Sequence, residues 1–595
     1  VLLFGMAAVS CGDDDTKNND TTGITGSSWK ASETVGADRT TKKYTFKASA
    51  NWVAQSDKPE WCKILTSSGD KGSDRQLNIT VEANETGSTR SANITVQVSG
   101  YARAAQFAIT QLGSSSGGTG ADTELNKQVD KILEYYYLWN GEYRQMSRDL
   151  SLDYISSSDN FLKRTLLEMT TNDLDKKRQS NGSYSVYSYL LRTPLTKAVD
   201  GTKPEVNHGV AKKKEYGFGI AGLMGVRFVD GNNQPTGEYG LVVTSVYPDS
   251  PASEAGFRRG TFFAQYNGAA ITAANLNSVY GTLIAPGGAS TVKLTENKQG
   301  AQPVSLTARE IYPNPVIHSE VITSGAHRIG YLVYDSFDAA YDDELLAAVK
   351  KLKDGNITDM VLDLRNNGGG HVISSNMLST CIACQGKVYE YYRYNDSRMA
   401  TVEKTARETG KEYDTAAKKF FDEFYYGDYY GVDLRNYALN MTRLYVLVTG
   451  NTASSSEAVI NTLRGLDGFT VKLIGEKTNG KNVGMEVSKF TVGNYSYELA
   501  PISFQGYNAK QVTVDKNGLA VDTACEEWDG ELKDYGDRSE PMLAAALSQI
   551  TGQRSASVSG TRSTAPGVRP ATDIALPDLS NRPNGMIVFL PAAEE

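Results

Sequence analysis

Apolar and polar residues alternate along two runs near the amino end, Leu77-Asn78-Ile79-Thr80-Val81 and Ala92-Asn93-Ile94-Thr95-Val96-Gln97-Val98. A period of two puts one set of side chains on one face, which predicts half-buried strands. Turn clusters such as Asn84-Glu85-Thr86-Gly87 separate the runs, and residues 28–113 read as an all-β sandwich. Its large rings, Trp52 and Trp61, are expected inside. The stretch 114–121 is a Ser/Gly linker. Leu125, Val129, Ile132, Leu133 and Tyr136 then recur at helical spacing, and residues 122–205 read as a small helical domain in which Tyr135 to Trp139 pack as core. Strand patterns return over 206–312. From 313 to 552 near-continuous apolar strands (Met360 to Leu364, Arg443 to Val448, Val471 to Ile474) alternate with amphipathic helices such as Asp342 to Leu352. That alternation predicts α/β structure with parallel pairing. A Tyr-rich insertion between about 385 and 440 is expected to roof a site or to cover the sheet. Residues 553–595 read as a low-complexity tail, with Met586 to Leu590 open to forming a short strand.

The 595 residues carry 61 Lys+Arg against 69 Asp+Glu, a net charge of −8. That balance argues against nucleic acid as a partner. Five cysteines are no disulfide framework. The four histidines are His208, His318, His327 and His371, and no Cys/His cluster suggests zinc or calls for a cofactor. Residues 1–27 are an apolar run, a cysteine and an acidic linker. Nine apolar residues are too few to span a bilayer, and Ala8-Val9-Ser10-Cys11 resembles a bacterial lipobox. The resemblance implies lipidation at Cys11 and a lipoprotein of the bacterial outer membrane, periplasmic or surface-exposed.

Three segments carry chemistry, each expected at the end of a strand, where α/β sheets place their sites. Asp363-Leu364-Arg365-Asn366-Asn367-Gly368-Gly369-Gly370 lets backbone approach a ligand and aims N–H groups at a negative oxygen. Thr452-Ala453-Ser454-Ser455-Ser456-Glu457 opens a helix. Ser454 with Glu457 is equally well a capping box or a nucleophile at the positive end of a helix dipole, and the residues alone leave both open. Gly475-Glu476-Lys477-Thr478-Asn479-Gly480-Lys481 sets a lysine on a tight glycine turn. His371 is a rival base for a Ser-His pair, although a residue starting a helix beside a glycine loop accounts for it equally simply. Cys381-Ile382-Ala383-Cys384 falls within a helix, where two small buried residues or a reducible disulfide would each fit.

Together and in this order the three segments resemble the C-terminal processing (tail-specific) serine peptidases. Ile329-Gly330-Tyr331 and Tyr334-Asp335-Ser336-Phe337 add to the likeness. Residues 206–312 resemble a PDZ domain, on Gly217-Phe218-Gly219-Ile220, Ser250-Pro251-Ala252 with Ala255-Gly256-Phe257, and Asn267-Gly268. Residues 28–113, with Trp52, Trp61, Asn84, Arg90 and the closing Ile109 to Gly113, resemble a BACON domain, an immunoglobulin-like module.

These resemblances imply an immunoglobulin-like sandwich, a helical domain, a PDZ domain and a crotonase-like α/β core at 313–552. They imply a serine endopeptidase with Ser454 as nucleophile, Lys481 as general base and Glu457 orienting the lysine. Main-chain N–H groups of Ser455 and of Gly369 or Gly370 would form the oxyanion hole. Gly217, Phe218, Gly219 and Ile220 would capture a peptide or protein C-terminus. The rival is a non-catalytic ligand- or carbohydrate-binding surface lipoprotein, with glycan contact through residues 28–113.

Overall fold

The computed structural model describes residues 22–30, 32–36, 39–82, 84, 90–111, 120–146, 158–178, 184–194, 206–207, 210–286, 288–383, 390–409, 413–414, 419–422, 432–528, 531–553, 567–571 and 585–589. Cys11, Cys384, His208 and part of the Tyr-rich insertion, including Tyr425, Tyr426, Tyr429 and Tyr430, lie outside them. The chain divides into two compact units, residues 1–127 with 148–161, and residues 128–147 with 162–595. Among the described residues no helix is long and apolar enough to cross a membrane.

The first unit holds two sheets around one core. One has four strands, including Thr40–Ala48 and Gly72–Val81; the other has five, including Arg90–Val98 and Ala105–Gln111. The period-two runs put Leu77, Ile79, Ala92, Ile94, Val96 and Val98 inward, all fully buried. Trp52 and Trp61 belong to that core. The Arg90 guanidinium stands 4.3 Å above the Trp61 ring and donates to the Glu82 carbonyl at 2.8 Å. Both indoles therefore hold the sandwich together, and neither ring offers a sugar a flat exposed face.

In the second unit a six-stranded sheet runs Val316–Ser324, His327–Tyr334, Asp359–Asp363, Arg443–Val448, Thr470–Gly475 and Thr523–Ala524 in spatial order. The first pair is antiparallel and every other pair parallel. The inner strands Asp359–Asp363 and Arg443–Val448 are buried on both faces, which is why they read as unbroken apolar runs. Parallel order brings the carboxyl ends of five strands to one edge, and all three chemistry-bearing segments leave from it.

A second sheet beside this one contains Tyr189–Pro194, Tyr495–Ala500, Val483–Val492, Ile502–Asn508 and Glu390–Tyr394. Its first member corrects the expectation of a helical domain to 205. Helix ends at Glu168, strands follow from Lys176, and Tyr189–Pro194 pairs with Tyr495–Ala500. The segment 184–194 is strand-rich in Tyr, Val and Leu, and its core lies in that sheet rather than among helices. Residues 567–570 and 585–589 also form strands, within what the sequence presents as a tail.

Glu215–Gly217 pairs with Arg309–Ile311 in a separate two-stranded sheet, and strands between 220 and 307 belong to a further sheet, with a helix at Leu276–Ile284. Its long strands are Ile220–Val229 and Pro235–Val246. Arg259, fully buried, donates to the Lys533 carbonyl at 3.0 Å and to Glu527 at 2.7 Å. Ser245 donates to Asp335 at 2.7 Å. These contacts tie the sheet to the six-stranded core.

Candidate active site

Ser454 sits where the strand Arg443–Val448 turns into the helix Ser455–Gly465. Its backbone is in the left-handed region, at φ 60 and ψ −114. That conformation costs a non-glycine residue about 1–3 kcal/mol and persists only where its surroundings enforce it. The Ser454 side chain is wholly buried, and its Oγ has no hydrogen-bond partner. The capping box is thus half made. Glu457 accepts the Ser454 N–H at 2.9 Å, while the serine hydroxyl caps nothing. A hydroxyl buried without a partner beside the first turn of a helix is poised to be used by something else.

The surrounding hydroxyls are occupied, and they stitch this turn to the glycine loop. Thr452 Oγ1 donates to the Leu364 carbonyl at 2.9 Å, Ser455 Oγ to Gly370 at 2.8 Å and Ser456 Oγ to Asn367 at 2.9 Å. The loop is held from behind by Arg365, which is buried and paired with Asp363 at 2.8 Å and with Glu540 at 2.7 Å. Glu540 in turn accepts the Leu543 N–H at the start of the helix Pro541–Thr551. Gly370 has φ +138, and an added Cβ would stand 2.1 Å from the Phe337 carbonyl oxygen, so only glycine fits there. Of the two glycines expected to serve an oxyanion, Gly369 already donates its N–H to Asn367 Oδ1 at 2.9 Å.

Lys481 is 5% exposed. Burial lowers its amine from 10.5 to about 7, against the raising fields of Asp175 and Glu457 and with help from Lys177. Desolvation wins because an ammonium loses more hydration there than two carboxylates return. The Tyr187 ring lies 4.5 Å from Nζ and covers the amine. Lys477 is exposed on the same turn, which leaves Lys481 as the buried amine.

Glu457 joins the two halves, but not as the sequence suggests. It grips main chain rather than the lysine amine. Oε2 accepts the N–H groups of Ser454 at 2.9 Å and of Lys481 at 3.0 Å; Oε1 accepts Gly480 N–H at 2.7 Å and the Thr478 hydroxyl at 2.6 Å. One carboxylate thereby fixes the backbones of serine and lysine to each other. Burial pushes its own carboxyl up, and the four donors oppose that.

Asp175 and Tyr187 are the residues that sequence reasoning missed. Asp175 is fully buried and accepts from Tyr137 Oη, Tyr187 N, Ser188 N and Ser188 Oγ at 2.8–2.9 Å. It thereby fixes the strip that carries Tyr187 over the lysine. Burial raises its carboxyl to about 6. A cavity of about 530 Å³ opens here, lined by Tyr184, Tyr187, Lys481, Lys176 and Lys516 among others.

His371 is placed otherwise than a Ser-His pair requires. Its Nδ1 lies 3.0 Å from the Ala339 N–H, which donates to it, and burial pushes the imidazole down to about 4. It makes no hydrogen bond to Ser454. Cys381 is buried in the helix Val372–Ala383. Gly217, Phe218, Gly219 and Ile220 enter the strand Ile220–Val229. Gly219 has φ +85 and packs so tightly that a Cβ would lie 2.0 Å from Ser250.

A strained serine at a helix start, a buried lysine whose amine is lowered and a glycine loop thus stand at one sheet edge. Residues 328–522 match the model of Peptidase family S41, and residues 49–112 match BACON, described as "Putative binding domain, N-terminal". It is 24% identical over 287 residues to carboxyl-terminal-processing peptidase 2, chloroplastic, of Arabidopsis thaliana, covering 48% of this chain and 49% of that protein. It is 24% identical over 256 residues to carboxy-terminal processing protease CtpA of Bacillus subtilis (strain 168), covering 43% and 47%. The chain spans about half the length of the curated relatives it matches. Among solved structures, one named "Putative S41 protease from Bacteroides fragilis NCTC 9343" matches at TM-score 0.52 and 24% identity, over 72% of this chain and 98% of the other. That likeness shows the fold.

Proposed function

We propose that the chain is a serine endopeptidase of the C-terminal processing type. One observation carries the reading: Ser454, whose buried hydroxyl has no partner, is held through its backbone N–H by Glu457 on the same clamp as the backbone of Lys481, whose amine is close to neutral at physiological pH. In the proposed reaction the Lys481 amine accepts the Ser454 proton as Oγ attacks the scissile carbonyl. The oxyanion is met by the N–H of Ser455 at the helix start and by the N–H of Gly370, Gly369 being engaged by Asn367. The lysine then gives its proton to the leaving amine, and water releases the acyl group by the same relay. No step asks for a metal or cofactor.

Residues 206–312 act in this reading as a PDZ domain. The loop Gly217 to Gly219 takes the substrate carboxylate, and Ile220–Val229 offers a strand edge. The core is of the crotonase-like type, the sandwich immunoglobulin-like, and the substrates are protein or peptide chains. On the sequence Ala8 to Cys11 alone we place the chain as a lipoprotein in the bacterial cell envelope. The sandwich serves as a spacer, since its tryptophans are committed to its core. Hydrolysis of a casein-type substrate by the wild type against Ser454→Ala tests the reading. Loss of turnover in the variant supports it; equal turnover refutes it.

A further inference from the structure

Two strand edges that a peptide would need are filled by the chain's own carboxyl-terminal region. The first is the edge of Ile220–Val229. Residues Gly567–Pro570 pair with it antiparallel, Val229 opposite Gly567 and Val226 opposite Pro570. Ala571 continues the ladder by donating its N–H to the Gly225 carbonyl at 2.8 Å. The added strand runs toward Gly219, the polarity of a peptide heading for the glycine loop with its carboxyl end.

The second edge lies at the candidate active site. Residues Gly585–Phe589 run between Gly369–His371 and Val483–Val492, parallel to both. Met586 stands opposite Gly370 on one side and Gly484 on the other; Ile587 stands opposite His371 and Met485. One wall is thus the glycine loop, and the other begins two residues after Lys481. With this strand in place Ser454 is completely buried. The occupant's sequence is Gly-Met-Ile-Val-Phe, without a charge. Of the residues in register on that wall, Met485 and Val487 are buried and apolar, and Glu486 between them is paired with Arg398 at 2.6 Å. The slot is therefore built for an extended, uncharged, β-prone segment.

We propose that residues 585–589 are a resident occupant of the substrate slot, and that a substrate must displace them with an extended apolar segment of its own. This rests on the peptidase reading above. Chain order argues that the tail is an occupant rather than a substrate. A substrate whose carboxyl end lies at Gly217–Gly219 presents its scissile region upstream of that end. Here the segment at the site lies downstream of the one on the Ile220–Val229 edge. The tail fills each position separately and in the reverse order, so it occupies the slot without bringing a PDZ-anchored peptide bond to Ser454.

Ile587→Pro in the full chain tests this. Proline has no N–H and is not tolerated in a strand paired on both sides, and Ile587 belongs to no part of the proposed machinery. With an effective concentration of about 1 mM for a tethered strand, and an affinity of about 0.1 mM for the same strand in trans, the tail holds the rate down about tenfold. Fluorophosphonate labelling of Ser454 should then be about tenfold faster in Ile587→Pro than in wild type. A fluorescein-tagged peptide of residues 583–590 should bind the variant and not the wild type, and should slow its labelling back competitively. Equal labelling of the two chains, both reactive, would overturn the occupant and leave the peptidase reading standing. Peptide binding with no labelling of either chain would overturn the peptidase reading and, with it, the tail as a restraint on catalysis. Wild-type labelling that accelerates on dilution would assign the strand to a second copy and overturn an intramolecular occupant.

Discussion

Lys481→Met should make the protein more stable while abolishing hydrolysis. In the unfolded chain the amine keeps its proton up to its ordinary value of 10.5; in the folded chain it gives it up near 7. Between those two values the unfolded state binds more protons, so stability rises with pH. Below about 7 both states are protonated and the full cost of a buried ammonium stands. Above 10.5 both are neutral and the cost is gone. Each unit of separation is about 1.4 kcal/mol, which sets an upper bound of roughly 4 kcal/mol at pH 7. Relaxation and water entry reduce that, and about 2–4 kcal/mol is expected. Methionine keeps the length and flexibility of the stem without the charge. The assay is native-state hydrogen exchange of the strands Arg443–Val448 and Thr470–Gly475, from pH 6 to 9, which isolates the core from the other unit. The variant should be better protected at pH 6 and 7, with the gap closing by up to about 1.4 kcal/mol per pH unit above 7.5. A variant that is no more stable at pH 7, or a gap independent of pH, would refute the reasoning that burial lowers this amine.

Ser454→Gly should relieve the backbone at φ 60 and stabilise the chain by about 1 kcal/mol, whereas Ser454→Ala, which loses no hydrogen bond, should be close to neutral. Neither should hydrolyse, and urea unfolding beside a peptide assay checks both. Glu457→Gln offers one acceptor oxygen where two serve four donors, and should cost about 2–4 kcal/mol with a fall in kcat larger than the change in KM. Gly219→Ala meets Ser250 at 2.0 Å in a left-handed backbone. It should erase any KM difference between free-acid and amidated substrates while sparing kcat on short peptides; a preserved difference would make that loop structural.

Legibility followed the range of the interaction. Strands buried on one face show as period two and those buried on both as apolar runs, so Arg90–Val98 of the sandwich and Asp359–Asp363, Arg443–Val448 and Thr470–Gly475 of the six-stranded sheet were readable within a few residues of their ends, whereas its edge strands Val316–Ser324 and Thr523–Ala524 were not. The three chemistry-bearing segments were readable because each is a local turn at the carboxyl end of a parallel strand. Asp175 and Tyr187 were not, since nothing around Asp173-Leu174-Asp175 or Tyr187-Ser188 marks them. They matter only because the fold lays them over Lys481. Ser454 shows the opposite case. Its spacing to Glu457 fits a capping box, and the left-handed backbone that leaves the box half made is invisible in sequence. The strand at 567–570 was hidden by composition, while Met586 to Leu590 was open to forming one; the partners of both are main-chain edges that any extended segment of low charge can join.

The most direct test of the central claim is to label the Ile587→Pro chain with a fluorophosphonate across pH 5–10 and map the adduct by peptide mass. The account predicts a single adduct on Ser454, formed at a rate that rises with pH through one ionisation near 7. That ionisation should persist in His371→Ala and disappear, with labelling, in Lys481→Arg, because an arginine cannot give up its proton in this range. An adduct on another serine, or labelling of Ser454 that survives Lys481→Arg and fails in His371→Ala, would contradict it.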